Sequence, residues 1–186
     1  EFIGFSYRCA LDPSNGFVLS FFGFTCGVGL CEEITKALPL LRVIKDKTRE
    51  ASWDELLVIG MASGIGFGVA EGIMYAGQYN GIESADIFFV RFFSCVLLHA
   101  VWAGAVGVTM YNRQGWIHNA ENFWMALLMM VGIVLVPMTL HGLYDTCLKQ
   151  NLDAWGLVVA IASFGWLVFQ IERMRRTPLD TRLVAA

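Results

Sequence analysis

Charge is scarce in this chain: Asp, Glu, Lys and Arg together make up 16% of 186 residues, while apolar residues make up 56%. Nothing in that balance favours a soluble domain. The formal net charge of -3 points to no particular partner, and without a basic stripe interleaved with aromatics there is no nucleic-acid surface. Cysteine patterning is missing as well. Cys9, Cys26, Cys31, Cys95 and Cys147 include no CxxC pair and no zinc-finger spacing. That leaves neither a disulfide framework nor a structural metal site, and reads them as small core residues. An initiator Met and a signal peptide with a charged leading region are absent too; the chain opens mid-pattern at Glu1, so upstream residues are expected.

What is present is apolar length. The mean hydropathy is +0.58, and about 20 apolar residues are needed to cross roughly 30 Å of hydrocarbon. Five segments qualify, at about residues 17–41, 53–79, 87–111, 123–148 and 155–171. The expected fold is all-α, a polytopic transmembrane helix bundle of about five spans. Residues 1–16 form a lead-in, 17–172 one membrane-embedded domain and 173–186 a tail. Asp12-Pro13-Ser14-Asn15-Gly16 is a turn that also suits a helix entrance. Pro39 and Pro137 each remove a backbone donor, and the first helix is expected to kink or end at Pro39. Gly60, Gly64, Gly68 and Gly72 recur every four residues and offer a smooth stripe to a neighbouring helix. The fifth span carries no internal charge and reads as a scaffold helix facing lipid. Arg42, Lys45, Lys47, Arg49, Arg113, Arg173, Arg175, Arg176 and Arg182 share one side, against Arg8 and Lys149 on the other. The positive-inside rule therefore puts loop 42–52 and the C-terminus in the cytoplasm, with Trp53, Tyr79, Tyr111, Trp124 and Trp155 at the interfaces.

Against this background the ionisable residues inside the spans stand out. Cys31-Glu32-Glu33-Ile34-Thr35-Lys36 sets three charges within five residues of the first span. Glu71, His99, His141 and Asp145 follow on the next three spans. A charge near a helix centre costs about 2.5–3.5 kcal/mol on insertion scales, so five facing lipid would cost roughly 12–17 kcal/mol. That rivals the net stability of a whole domain. Convergence of the four helices on one interior site is the economical arrangement.

Three spacings occur in order: Glu32-Glu33-x-x-Lys36 (EExxK), Phe67-x-x-x-Glu71 (FxxxE) and His141-x-x-x-Asp145 (HxxxD), with His99-Ala100-Val101-Trp102 between the last two. Over about residues 17–148 the chain thereby resembles the PrsW family of intramembrane proteases. That family is in turn similar to the CAAX prenyl endopeptidases and bacteriocin-immunity-type membrane proteins, whose motifs read EExxxR, FxxxH and a His followed four residues later by Asn or Asp. The resemblance implies a buried peptide hydrolase acting on membrane-anchored proteins such as anti-sigma factors, in a bacterial-type inner or plasma membrane. The shorter gap before Lys36 prevents a direct transfer of roles from the prenyl endopeptidases.

The chemistry of the residues is compatible with hydrolysis. Glu32 or Glu33 can serve as a base toward water, Glu71 or His99 can share that water, and His141 with Asp145 can donate to or orient an oxyanion. Zinc is an alternative, with candidate ligands Glu33, Glu71, His99 and His141, although no HExxH motif exists. Adjacent helical residues point about 100° apart, so one glutamate must differ from the other. Glu32, four residues before Lys36, suits a structural ion pair, which favours Glu33 as the freer base. Duller readings hold for each residue alone: Glu71, His99 and His141 as satisfied polar contacts, Asp145 as an interfacial group, His118 as a solvated loop residue.

Other chemistries fit less well. Gly60-Met61-Ala62-Ser63-Gly64 is not GxSxG, no aspartate pair lies in mid-membrane, and a Cys95/His99 thiol pair leaves the carboxylates unexplained. The non-enzymatic alternative is a proton- or ion-coupled transporter built on broken helices; a scaffold that binds other membrane proteins through its glycine face is a third. Depth raises one difficulty for a common site. At about 1.5 Å per residue, Glu32 falls ~5 Å toward one face of its span and His141 ~9 Å toward the other.

Overall fold

A computed structural model describes residues 1–46, 48–78, 85–120 and 123–176, with side chains described there except at 75–78, 85–91, 118 and 123. The expected interface residue Tyr79, the loop charge Lys47 and the tail beyond 176 with Arg182 lie outside the described residues, as does the side chain of His118.

The described chain is all-helical. Its elements are α1 (Phe2–Leu11), α2 (Phe17–Gly23), a π-helical segment (Phe24–Gly29), α3 (Leu30–Ile44), α4 (Trp53–Gln78), α5 (Ala85–Asn112), α6 (Gln114–His118), α7 (Phe123–Lys149) and α8 (Asp153–Arg176). Among the described residues, five helices are long and apolar enough to cross a membrane, the first being the continuous run Phe17–Ile44. Large apolar side chains such as Val58, Ile65, Leu128, Leu157, Ile161 and Phe169 remain exposed on the outside of the bundle, as a lipid-facing belt requires.

α3 does not end at Pro39 but continues to Ile44. Ser63 Oγ on α4 donates to the carbonyl of Lys36 at 2.9 Å, a polar tie between helices beside the donor that Pro39 lacks. The break in this span lies earlier, in the π-helical segment. Its wider turn holds one more residue than an α-turn, so it rotates everything after it by about 100° and sets the direction of Glu32 and Glu33.

Glycines let neighbouring backbones meet around that segment. A Cβ at Gly23 would collide with the backbone of α1 at Ala10, and one at Gly29 would lie 2.8 Å from the carbonyl oxygen of Met138 on α7. The predicted stripe on α4 works similarly. Side chains at Gly60 and Gly64 would strike the carbonyls of Ala103 and His99, and one at Gly68 would come within 2.8 Å of the Val96 Cα. Hydrocarbon offers no hydrophobic drive for helices to associate, so this close approach supplies the packing that holds α4 on α5.

Polar caps complete the frame. Ser52 Oγ accepts from the Glu55 amide at 3.3 Å at the start of α4. At the end of α7, Leu152 N donates to Cys147 O and Asn151 N to Leu148 O, with Asn151 at φ 56°, a left-handed helix stop that asparagine tolerates. Lys149 Nζ donates to the carbonyls of Ala10 (2.8 Å) and Asp12 (2.6 Å) and to Ser20 Oγ (2.9 Å). It places a cation at the C-terminal end of α1, where the helix dipole favours one. Two apolar clusters fill the bundle, one around Leu40, Leu56, Met110 and Val134, the other around Leu98, Trp102, Ala105 and Leu167.

Substituting Gly64 by Leu should push α4 off α5 at the level of His99 and destabilise the protein by about 1–3 kcal/mol or more. Its unfolding midpoint in detergent should fall well below that of Gly66→Leu, whose position has open space around it.

Candidate active site

The helices bring Glu32, Glu33, Lys36, Glu71, His99, His141 and Asp145 together, and the difference in depth expected between α3 and α7 does not exist. His141 Nε2 lies 3.7 Å from Glu32 Oε2 and 3.3 Å from Asp145 Oδ2, while His141 Nδ1 is 3.1 Å from Glu33 Oε1. The π-helical segment, pressed against Met138 and Gly142 of α7, brings these two helices to a common level. On the other side of α3, Lys36 Nζ is 2.6 Å from His99 Nδ1, and His99 Nε2 is 2.7 Å from Glu71 Oε2.

The ion pair expected between Glu32 and Lys36 forms, but it is the longer of two, since Lys36 lies closer to Glu33. Lys36 Nζ is 2.5 Å from Glu33 Oε1 and 3.8 Å from Glu32 Oε2. Both spacings, three and four residues, place a partner on the same helix face; the environment selects between them. Glu33 is fully enclosed, and a buried carboxylate must be compensated by a cation and hydrogen bonds. Glu32 remains at the edge, so it, not Glu33, is the freer glutamate. Its Oε2 is shielded from solvent and, like Glu33 Oε2, has no hydrogen-bond partner among the described residues.

Burial grades across the cluster. Glu33, Lys36, His99 and His141 are at most 3% exposed, while the side chains of Glu32, Glu71 and Asp145 are 13%, 19% and 25% exposed. The floor is thus a closed ion-pair network and the mouth is a ring of three carboxylates.

Aromatic rings form the walls. Phe67, the first residue of FxxxE, lies under Lys36 Nζ at 5.0 Å and packs against His99 at 5.5 Å. The cation is thereby partly compensated by a ring face. Trp102 stacks flat on His141, with centroids 4.6 Å apart and planes 19° from parallel. Its Nε1 donates to Ser163 Oγ on α8 at 3.0 Å, and Ser163 Oγ in turn donates to Val159 O at 2.8 Å. The fifth span, expected as a scaffold facing lipid, therefore also fixes the ring beside His141. Only Ser163, a small polar residue amid apolar ones, hinted at this in the sequence.

α1 was likewise not foreseen. It packs on α2 and the π-helical segment, and the phenol of Tyr7 is raised from its ordinary value by burial and by Cys31, Glu32 and Glu71.

Among the described residues, two groups of donors are close enough to hold a metal ion. In Glu32, His99 and His141 the donor atoms lie within 4.8 Å of one another; so do those of Glu71, Cys95 and His99. The first set offers two imidazoles and a carboxylate, a donor chemistry that zinc accepts. The solvent-shielded Glu32 Oε2, free of hydrogen bonds, is a further feature that fits a cation. The expected ligand Glu33 is in neither group; its Oε1 is engaged by Lys36 and His141.

A polar interior of carboxylates and imidazoles, closed below and edged by partly exposed carboxylates, is the candidate site of a membrane-embedded protein. A family model described as PrsW family intramembrane metalloprotease matches residues 6–171, and the chain belongs to that family. It is an integral membrane protein and an intramembrane protease by that membership. No curated protein and no solved structure matches it.

Removing the Lys36 ammonium should leave Glu33 as an uncompensated buried charge, at a cost of about 3–5 kcal/mol. Lys36→Met should therefore lower the unfolding midpoint strongly, and Glu33→Gln in the same chain should restore most of it. A double variant no more stable than Lys36→Met would disprove the pairing.

Proposed function

We propose that this protein cleaves a peptide bond of a membrane-anchored protein, with Glu32, His99 and His141 holding a divalent cation, zinc by donor chemistry, and Glu71 moving the proton. The observation that carries the reading is Glu32: a carboxylate oxygen inside the bundle that hydrogen-bonds to nothing and faces two imidazoles. A cation held there supplies Lewis acidity toward the scissile carbonyl and makes water a better nucleophile.

The chain's own groups do the rest. Glu71, at the mouth and adjacent to His99, accepts a proton from the attacking water and returns it to the departing amine as the C–N bond breaks, so acid and base are one group used twice. Glu71 holds His99 at Nε2 and so orients its ring, and a cation would take Nδ1 in place of the Lys36 ammonium, which keeps Glu33 as its partner. Glu33 orients His141 from its Nδ1 side, Asp145 stands with Glu32 on the Nε2 side, and Trp102 prevents the ring from turning. Lys36 and Glu33 neutralise each other and keep the floor dry, which strengthens every electrostatic interaction above it.

The substrate is a membrane-anchored segment of the kind an anti-sigma factor presents, because such a chain reaches a site within the bilayer directly. The charged ends of the helices support an orientation with residues 45–52, 113–120 and the end of α8 in the cytoplasm of a bacterial-type membrane.

Glu32→Gln and His141→Ala should lose both bound metal and cleavage of a purified single-pass substrate, whereas Glu71→Gln should retain metal and lose cleavage by about 10²-fold or more. Metal analysis beside the cleavage assay checks this. Full activity in demonstrably metal-free protein would instead make Glu32 the base.

A further inference from the structure

One member of the second donor group, Cys95, has no part in the reaction proposed above. Cys95 lies on α5, one turn before His99, with its Sγ 3.4 Å from Glu71 Oε2. His99 Nε2 reaches the same oxygen at 2.7 Å. The three donor atoms all lie within 4.8 Å of one another, and Cys95 is half-buried, as is Glu71. A thiol in hydrogen-bonding distance of a carboxylate and within 4.8 Å of an imidazole nitrogen is more than a packing residue. Thiolate, imidazole and carboxylate together make a softer set than the Glu32 group, whose donors are only nitrogen and oxygen, and soft ligands select soft or borderline ions.

We propose that Glu71, Cys95 and His99 form a second, inhibitory site for a thiophilic divalent cation such as cadmium or excess zinc. The ion binds the Cys95 sulfur with loss of its proton and takes Glu71 and His99 as its other protein ligands. Glu71 faces the Nε2 side of His99 and Glu32 its Nδ1 side, so an ion on Cys95 acts through Glu71: it ties up the carboxylate that carries the proton in the proposed reaction. The inhibition rests on the peptidase reading, but the binding does not.

The test uses purified full-length protein in detergent, titrated with cadmium chloride. A near-ultraviolet thiolate-to-cadmium charge-transfer band is expected in the unaltered protein and should be lost in Cys95→Ser and Cys95→Ala. A second measurement needs no variant: saturating cadmium should slow alkylation of Cys95 by N-ethylmaleimide, read at that residue by peptide mass spectrometry. In the cleavage assay, half-inhibition should require about tenfold or more cadmium in Cys95→Ser than in the unaltered protein. No band in the unaltered protein, a band of undiminished amplitude in Cys95→Ser, or unprotected alkylation of Cys95 would overturn the site. A band and protection without inhibition would overturn the inhibitory role and leave the site itself standing.

Discussion

The buried ammonium of Lys36 is the constraint on which the rest of the structure depends. It is 1% exposed in a helix whose surroundings are hydrocarbon, and a charge there is stable only if protein groups replace its water. Glu33 supplies the opposite charge, His99 an imidazole nitrogen and Phe67 a ring face. These come from α3, α5 and α4, so satisfying one cation fixes three helices. The glycine stripe of α4 then becomes necessary rather than merely convenient, since α4 must approach α5 closely at the level of His99 for Phe67 to lie beneath the ammonium.

Compensation of Lys36 by Glu33 has a chemical consequence for its neighbour. With the floor neutral, Glu32 is left as a carboxylate whose nearest nitrogen partners, on Lys36 and His141, stand at 3.8 and 3.7 Å, beyond hydrogen-bonding distance. Two adjacent residues of identical chemistry thus acquire different roles from a 100° difference in direction. One is structural and sealed; the other is oriented toward the imidazoles and the mouth.

The outer helices make this arrangement rigid. Lys149 and Gln150 at the end of α7 bind the lead-in and Ser20, so α1 is pressed against the π-helical segment from one side while α7 presses from the other. Ser163 of α8 holds Trp102, and Trp102 holds His141. The helices that contribute no acid or base determine whether the acids and bases face one another.

By itself the sequence determined the solvent and the inventory. Five apolar runs, the glycine period and seven ionisable residues on four helices follow from composition and spacing, because the energy of charge in hydrocarbon is large enough to dictate convergence without knowing the packing. What only the tertiary structure decided was partner choice and level. Three- and four-residue spacings are equivalent on an isolated helix, so Glu32 and Glu33 are distinguished only by what α5 and α7 place beside each. The continuation of α3 through Pro39, the common depth of Glu32 and His141, and the contribution of α8 through Ser163 likewise depend on contacts between segments far apart in the chain. The π-helical turn before Glu32 carries no spacing signal, since an extra residue in one turn is tolerated by glycines that would suit an ordinary helix-packing stripe equally well.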